Sequence, residues 1–138
     1  MNSLCIVKTL VAMFVVTLIT FSNNSYADNQ PNIEIENFQI VLPPKVARST
    51  AGYGIIKNTG DVSDTLLNIK SNAGKVMLHK TDLTEGSARM IHMENMLIEA
   101  KSELLLEPMS YHLMFTELCP ITFVEDSHAT IIFEFEKS

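Results

Sequence analysis

The sequence predicts an all-β domain, a two-sheet Greek-key sandwich or barrel, and three observations carry that expectation. Short apolar or alternating runs separated by turn residues recur along the chain, as they do in sheets with one buried face. No segment sustains an apolar stripe at helical spacing. No long linker, internal repeat or low-complexity tract breaks the pattern, so one domain accounts for it.

The chain opens differently. Lys8 precedes an uncharged apolar run, Thr9 to Phe21, followed by a polar stretch that ends in Ser25-Tyr26-Ala27. This is the layout of a secretory signal peptide with a small-x-small cleavage site, over residues 1–27. The run is shorter than the ~20 apolar residues a membrane span requires. Cys5 stands too early, among the wrong neighbours, to be a lipid-attachment cysteine. Cleavage leaves residues 28–138 as one exported domain with its own core, without membrane insertion. Losing Lys8 takes the formal charge from −6 to −7. An acidic product is repelled by nucleic acid and by anionic lipid, which excludes both as partners. Cys119 is the single cysteine left, so packing and not a disulfide framework must hold the domain together.

The expected strands follow in order. Ile33 to Phe38 alternates apolar and polar, and Pro43-Pro44 then forces an extended loop. Ala51 to Lys57 is a second strand, stopped by the turn signal Asn58-Thr59-Gly60-Asp61. Thr65–Lys70 and Lys75–Thr81 flank the turn Asn72-Ala73-Gly74. Leu83 to Ser87 connects a hairpin to a strand around Arg89–Met93, and Glu94 to Ala100 holds a short strand and a loop. Glu103–Leu106, Tyr111–Phe115 and the alternating Ala129–Glu136 complete seven to nine strands. The carboxylates of Glu34 and Glu36 stand at strand spacing and read as a solvated face.

Chemistry concentrates between Met77 and Met114. Met77 with His79, Met90 with His92, and His112 with Met114 are each two residues apart, so each pair shares a strand face. Met93, Met96 and Met109 lie in the same window. Any one methionine is ordinary core filler, and a lone histidine is more often a surface or hydrogen-bonded residue than a ligand. Together, imidazole and thioether make a neutral, soft donor set suited to Cu(I) and poor for harder Zn(II) or Ca(II). Thioethers need no deprotonation and form no disulfides, so the set survives an oxidising compartment.

The spacing is more specific than the count. His79, Met90, His112 and Met114 form H-x10-M-x21-H-x-M. Tyr53-Gly54-Ile55-Ile56-Lys57-Asn58-Thr59-Gly60 gives a Tyr-x-x-Ile-x-Asn-x-Gly strand and turn, and Tyr111-His112-Leu113-Met114 a Tyr-His-x-Met segment. Over residues 31–136 the chain resembles the PCuAC family of periplasmic copper(I) chaperones. That resemblance implies a cupredoxin-like Greek-key β-sandwich, Cu(I) as cargo on His79, Met90, His112 and Met114, and delivery to a cuproenzyme such as cytochrome c oxidase during its assembly. Met77, His92 and Met93 are candidate auxiliary ligands, with packing of the same strand face as the alternative for Met77. The chain departs from the family where Pro-Gly-Gly-Tyr-His becomes Pro108-Met109-Ser110-Tyr111-His112, and where Glu117-Leu118-Cys119-Pro120 introduces a thiol.

Three other functions compete. A blue-copper electron-transfer site needs a thiolate followed closely by His and Met, whereas Cys119 has no His before His128 and no later Met. No nucleophile elbow or phosphate-cradling glycine loop suggests an enzyme. The remaining alternative is a secreted β-sandwich that binds a ligand or protein without metal.

Overall fold

A computed structural model describes residues 29–124 and 127–138; the expected signal segment, residues 1–27, lies outside them. The described residues contain nine strands: β1 (Ile33–Ile40), β2 (Ser49–Asn58), β3 (Asp64–Ser71), β4 (Lys75–Asp82), β5 (Arg89–His92), β6 (Met96–Ile98), β7 (Ser102–Leu106), β8 (Tyr111–Thr116) and β9 (Ile131–Phe135). Two short 3-10 turns, Thr84–Gly86 and Pro120–Thr122, complete the regular structure. The strands form a six-stranded sheet in the order β1-β2-β7-β8-β4-β5 and a three-stranded sheet in the order β6-β3-β9. This is the cupredoxin-like sandwich that the sequence implied.

The core between the sheets follows from alternation. Val76 and Leu78 of β4, Leu113 and Phe115 of β8, and Leu104 and Leu106 of β7 are buried on one face. They meet Leu66 and Ile69 of β3 and Ile98 of β6. In β1 the alternation changes phase, because Phe38 is out of step with Ile33 and Ile35. A bulge between Glu36 and Gln39, with Asn37 at φ 50°, absorbs one residue and turns Phe38 and Ile40 toward the core. The Phe38 ring lies so close to β2 that a Cβ on Gly52 would stand 2.9 Å from it, which fixes a glycine there by close approach.

The Asn-x-Gly turn after β2 is an internal clamp. Asn58 is fully buried, and its Oδ1 accepts from the amides of Gly60 at 3.0 Å and Asn32 at 3.2 Å. Its Nδ2 donates to the carbonyls of Val62 and Ile98. The side chain ties β1, β2, the following turn and β6 together. Asp64 is the other fully buried polar side chain. Burial pushes its carboxyl up, but the Ser138 hydroxyl and the amides of Thr65, Lys137 and Ser138 outweigh this and hold it below the ordinary carboxylate range. Both residues have structural work, and neither is available for chemistry.

Candidate metal centre

The strand register places the predicted donors. In β4 and β8, His79 stands opposite His112 and Met77 opposite Met114. In β4 and β5, His79 stands opposite His92 and Thr81 opposite Met90. Directly opposed residues share a face, as do residues two apart along a strand. The outer face of the six-stranded sheet therefore carries a row His112–His79–His92 across three strands. Met114 and Met77 lie on one side of this row, and Met90 lies on the other, at the β5 edge. Neighbours in this grid are separated by about 5 Å across strands and about 7 Å along them. His79 is at its centre.

The ring geometry agrees. The His79 ring centroid lies 6.0 Å from that of His112 and 5.6 Å from that of His92, with interplanar angles of 66° and 83°. Two imidazoles sharing an ion at about 2.0–2.1 Å have ring centres roughly 5–6 Å apart, so either pair stands close to a shared-ligand spacing. Among the described residues, no three His, Cys, Asp or Glu side chains form a group that could hold a metal. The donors that the register brings beside these imidazoles are the thioethers of Met77 and Met114.

The surroundings set the protonation. His79 and His112 are 9% and 6% exposed. Burial pushes the His79 imidazole below its ordinary pKa, and the His112 and His92 rings add to the push when charged. His79 is thus held neutral, as a ligand must be. Its Nδ1 is buried with no hydrogen-bond partner among the described residues. Such an orphan costs about 1–3 kcal/mol, which a bond to a metal would recover. The Nδ1–H of His112 donates to the Ser110 carbonyl at 3.2 Å, which leaves Nε2 as the free lone pair and fixes the ring. The same carbonyl accepts from the Thr81 amide at 3.0 Å, so the turn before β8 is tied to β4. Ser110 was not legible as a supporting residue, because its contribution comes from the backbone.

That turn also accounts for the lost glycines. Met109 adopts φ 64°, the left-handed conformation that glycine takes without strain. The register is kept, with a methionine in the glycine role. Its own side chain is exposed.

The remaining candidates separate by exposure. Met90 is 63% exposed, and every residue of β5 is exposed. His92 is 45% exposed and stands 3.6 Å from the Glu94 carboxylate. Met77 and Met114 are half-buried. Met93 packs against the core and, with Met96, lines a groove of about 670 Å³ between β3 and β4. Cys119 is half-buried, its amide bonded to the Ala73 carbonyl, and His128 is exposed. Neither belongs to the patch in strand register. Among the described residues no helix is long and apolar enough to cross a membrane.

The fold and the patch define a cupredoxin-like sandwich with an imidazole–thioether face. The family described as "Putative lipoprotein LpqE-like" matches residues 33–138, and the chain belongs to this LpqE-like family. Among solved structures it is similar to the copper-bound PCuAC domain from PmoF2, with TM-score 0.55 and 19% identity over 74% of this chain and 81% of that one. The apo PmoF2 PCuAC domain gives TM-score 0.52 and 15% identity over 75% and 90% of the two chains. The apo PCuAC domain from PmoF1 gives 0.50 and 16% over 73% and 89%. The resemblance to PCuAC domains expected from the sequence thus holds for the fold. No curated protein matches the chain.

Proposed function

We propose that the chain is a periplasmic copper chaperone, exported by a cleaved signal over residues 1–27 and folded as one domain over residues 28–138. It carries Cu(I) on His79, Met90, His112 and Met114 and delivers it to a cuproprotein, cytochrome c oxidase or its assembly factors being the recipient that the family resemblance implies. The observation that most supports the reading is the direct pairing of His79 with His112, both buried, beside Met114. Two imidazoles held neutral next to thioethers are a ligand set for a soft monovalent ion and have no evident use in an ordinary solvated strand face. The fold neighbour described as a copper-bound PCuAC domain adds a second support. The site performs no covalent step. It exchanges one neutral ligand for another, so the ion can leave without proton release.

The test is a Cu(I) titration in competition with a chromophoric chelator. His79→Ala, Met90→Leu, His112→Ala and Met114→Leu should each weaken binding by about tenfold or more, that is by about 1.4 kcal/mol. If all four compete as the unmodified protein does, the site is wrong, and a metal-free binding module becomes the better reading.

A further inference from the structure

The connection from β1 to β2, residues 41–48, leaves its apolar side chains in water. Val46 is 91% exposed and Leu42 70%, and no other large apolar side chain among the described residues exceeds 63%. The connection is nonetheless built. At its base the Val41 amide donates to the Ala51 carbonyl at 2.9 Å, and the Thr50 hydroxyl donates to the Val41 carbonyl at 2.6 Å. At its tip the Ala47 amide donates to the Pro44 carbonyl at 2.8 Å, closing a four-residue turn. Pro43 and Pro44 fix φ in the approach to that turn. A loop ordered in advance presents its side chains to a partner at a low entropic cost.

Its charge runs against that of the chain. Lys45 and Arg48 flank Val46 and are exposed, and among the described residues neither enters an ion pair. Residues 37–60 hold no acidic side chain, in a sequence with 16 of them. The loop also adjoins the imidazole–thioether face. Ser49 stands opposite Thr116 and Ala51 opposite Met114, and Val46 is five residues from Ala51, at most about 17 Å of chain. Between the loop and the end of β8 lies a hollow of about 570 Å³, lined by Arg48, Ser49 and Met114 with Glu117 and Leu118.

We propose that residues 41–48 are the docking loop through which the chain engages a protein acceptor whose facing surface is apolar at its centre and carboxylate-rich around it. Leu42 and Val46 cover the apolar centre, and Lys45 and Arg48 meet the carboxylates. An exposed apolar surface rimmed by charge is a common form of recognition site. Opposite charge across it speeds encounter and fixes orientation, here with the Met114 side of the sheet turned to the acceptor. Without these two cations the rest of the mature chain carries −9, which repels an acidic partner everywhere else and an anionic lipid surface as a whole. A loop of eight residues buries less than about 1,200 Å² in all, the size of a transient complex. That suits a carrier that must leave once its cargo has moved.

The inference rests on the copper reading, and two kinds of acceptor separate the two. The Cu(I)-loaded mature chain is mixed in stopped flow with a small bidentate chelator and, separately, with the apo copper domain of cytochrome c oxidase, the recipient implied above. Two double variants are compared with the unmodified chain: Leu42→Ser with Val46→Ser, and Lys45→Glu with Arg48→Glu. Each should slow transfer to the protein about tenfold or more while leaving equilibrium Cu(I) affinity and transfer to the chelator within about twofold. Added salt should slow the unmodified chain's transfer to the protein and leave the charge-reversed variant's nearly unchanged. Transfer to the protein at an unchanged rate in both variants overturns the docking loop, as does an equal slowing toward the chelator, which would place the loop in the metal site. Loss of binding to phosphatidylglycerol vesicles with normal transfer to the protein also overturns it, in favour of a lipid-facing loop. If the unmodified chain binds Cu(I) but passes none to the protein, the docking loop falls and the metal site stands. Should it bind no Cu(I), the copper reading fails and takes this one with it.

Discussion

At the residue scale, the patch depends on small numbers of atoms whose surroundings decide their state. His79 is the clearest case. Burial lowers its pKa from the ordinary 6.5, so between that value and the lower folded one the unfolded chain binds more protons than the native one. Stability of the metal-free protein should therefore fall as pH drops through about 6.5 and level off only below the folded pKa. Urea unfolding at pH 7.5 and 5.5 measures the drop, and His79→Gln should reduce it; an identical drop would mean that the imidazole is not held neutral. Asn58 makes the opposite kind of prediction. Removing its amide leaves buried partners on several segments unsatisfied, so Asn58→Ala should cost about 2–4 kcal/mol in urea unfolding. Copper binding per folded molecule should not change, since Asn58 shapes the turn and not the patch.

Elements bring these residues together, and here the sequence was readable in some respects and mute in others. Alternation marked the start of β1 and the whole of β9, and the i, i+2 pairs were visible because successive side chains of any strand point to opposite faces. The register was not. Nothing in the local pattern says that Met77 faces Met114 or that His92 faces His79, because a shift of two residues keeps every side chain on its face. Pairing of β3 with β9, some 65 positions apart in sequence, was likewise beyond local reading. The phase change in β1 was visible in Ile33, Ile35 and Phe38 but needed the bulge at Asn37 to explain it. The turn before β8 offers a test at this scale. Met109 bears the strain of φ 64°, so Met109→Gly should stabilise the domain by about 0.5–1 kcal/mol, the relief of left-handed strain less the added chain entropy of glycine. Thermal unfolding checks the sign. A destabilised variant would show that the Met109 side chain, and not its backbone, supports the turn.

For the whole molecule, one core between two unequal sheets holds the patch on the outer face of the larger one. The separation has a consequence: donors can be exchanged or replaced with little effect on the core, because Val76, Leu78, Leu113 and Phe115 point the other way on the same strands. Residues 28–138 expressed without the leading segment should therefore fold cooperatively, and so should the variants Met77→Leu, Met90→Leu and Met114→Leu. Scanning calorimetry should return a single transition for each.

Whether imidazole and thioether together hold copper is tested most directly by X-ray absorption at the copper edge of the Cu(I)-loaded mature protein. A mixed shell of nitrogen and sulfur scatterers is expected, with the sulfur contribution reduced by Met114→Leu and untouched by Cys119→Ser. A shell of nitrogen and oxygen alone, or sulfur that disappears with Cys119→Ser, would contradict it.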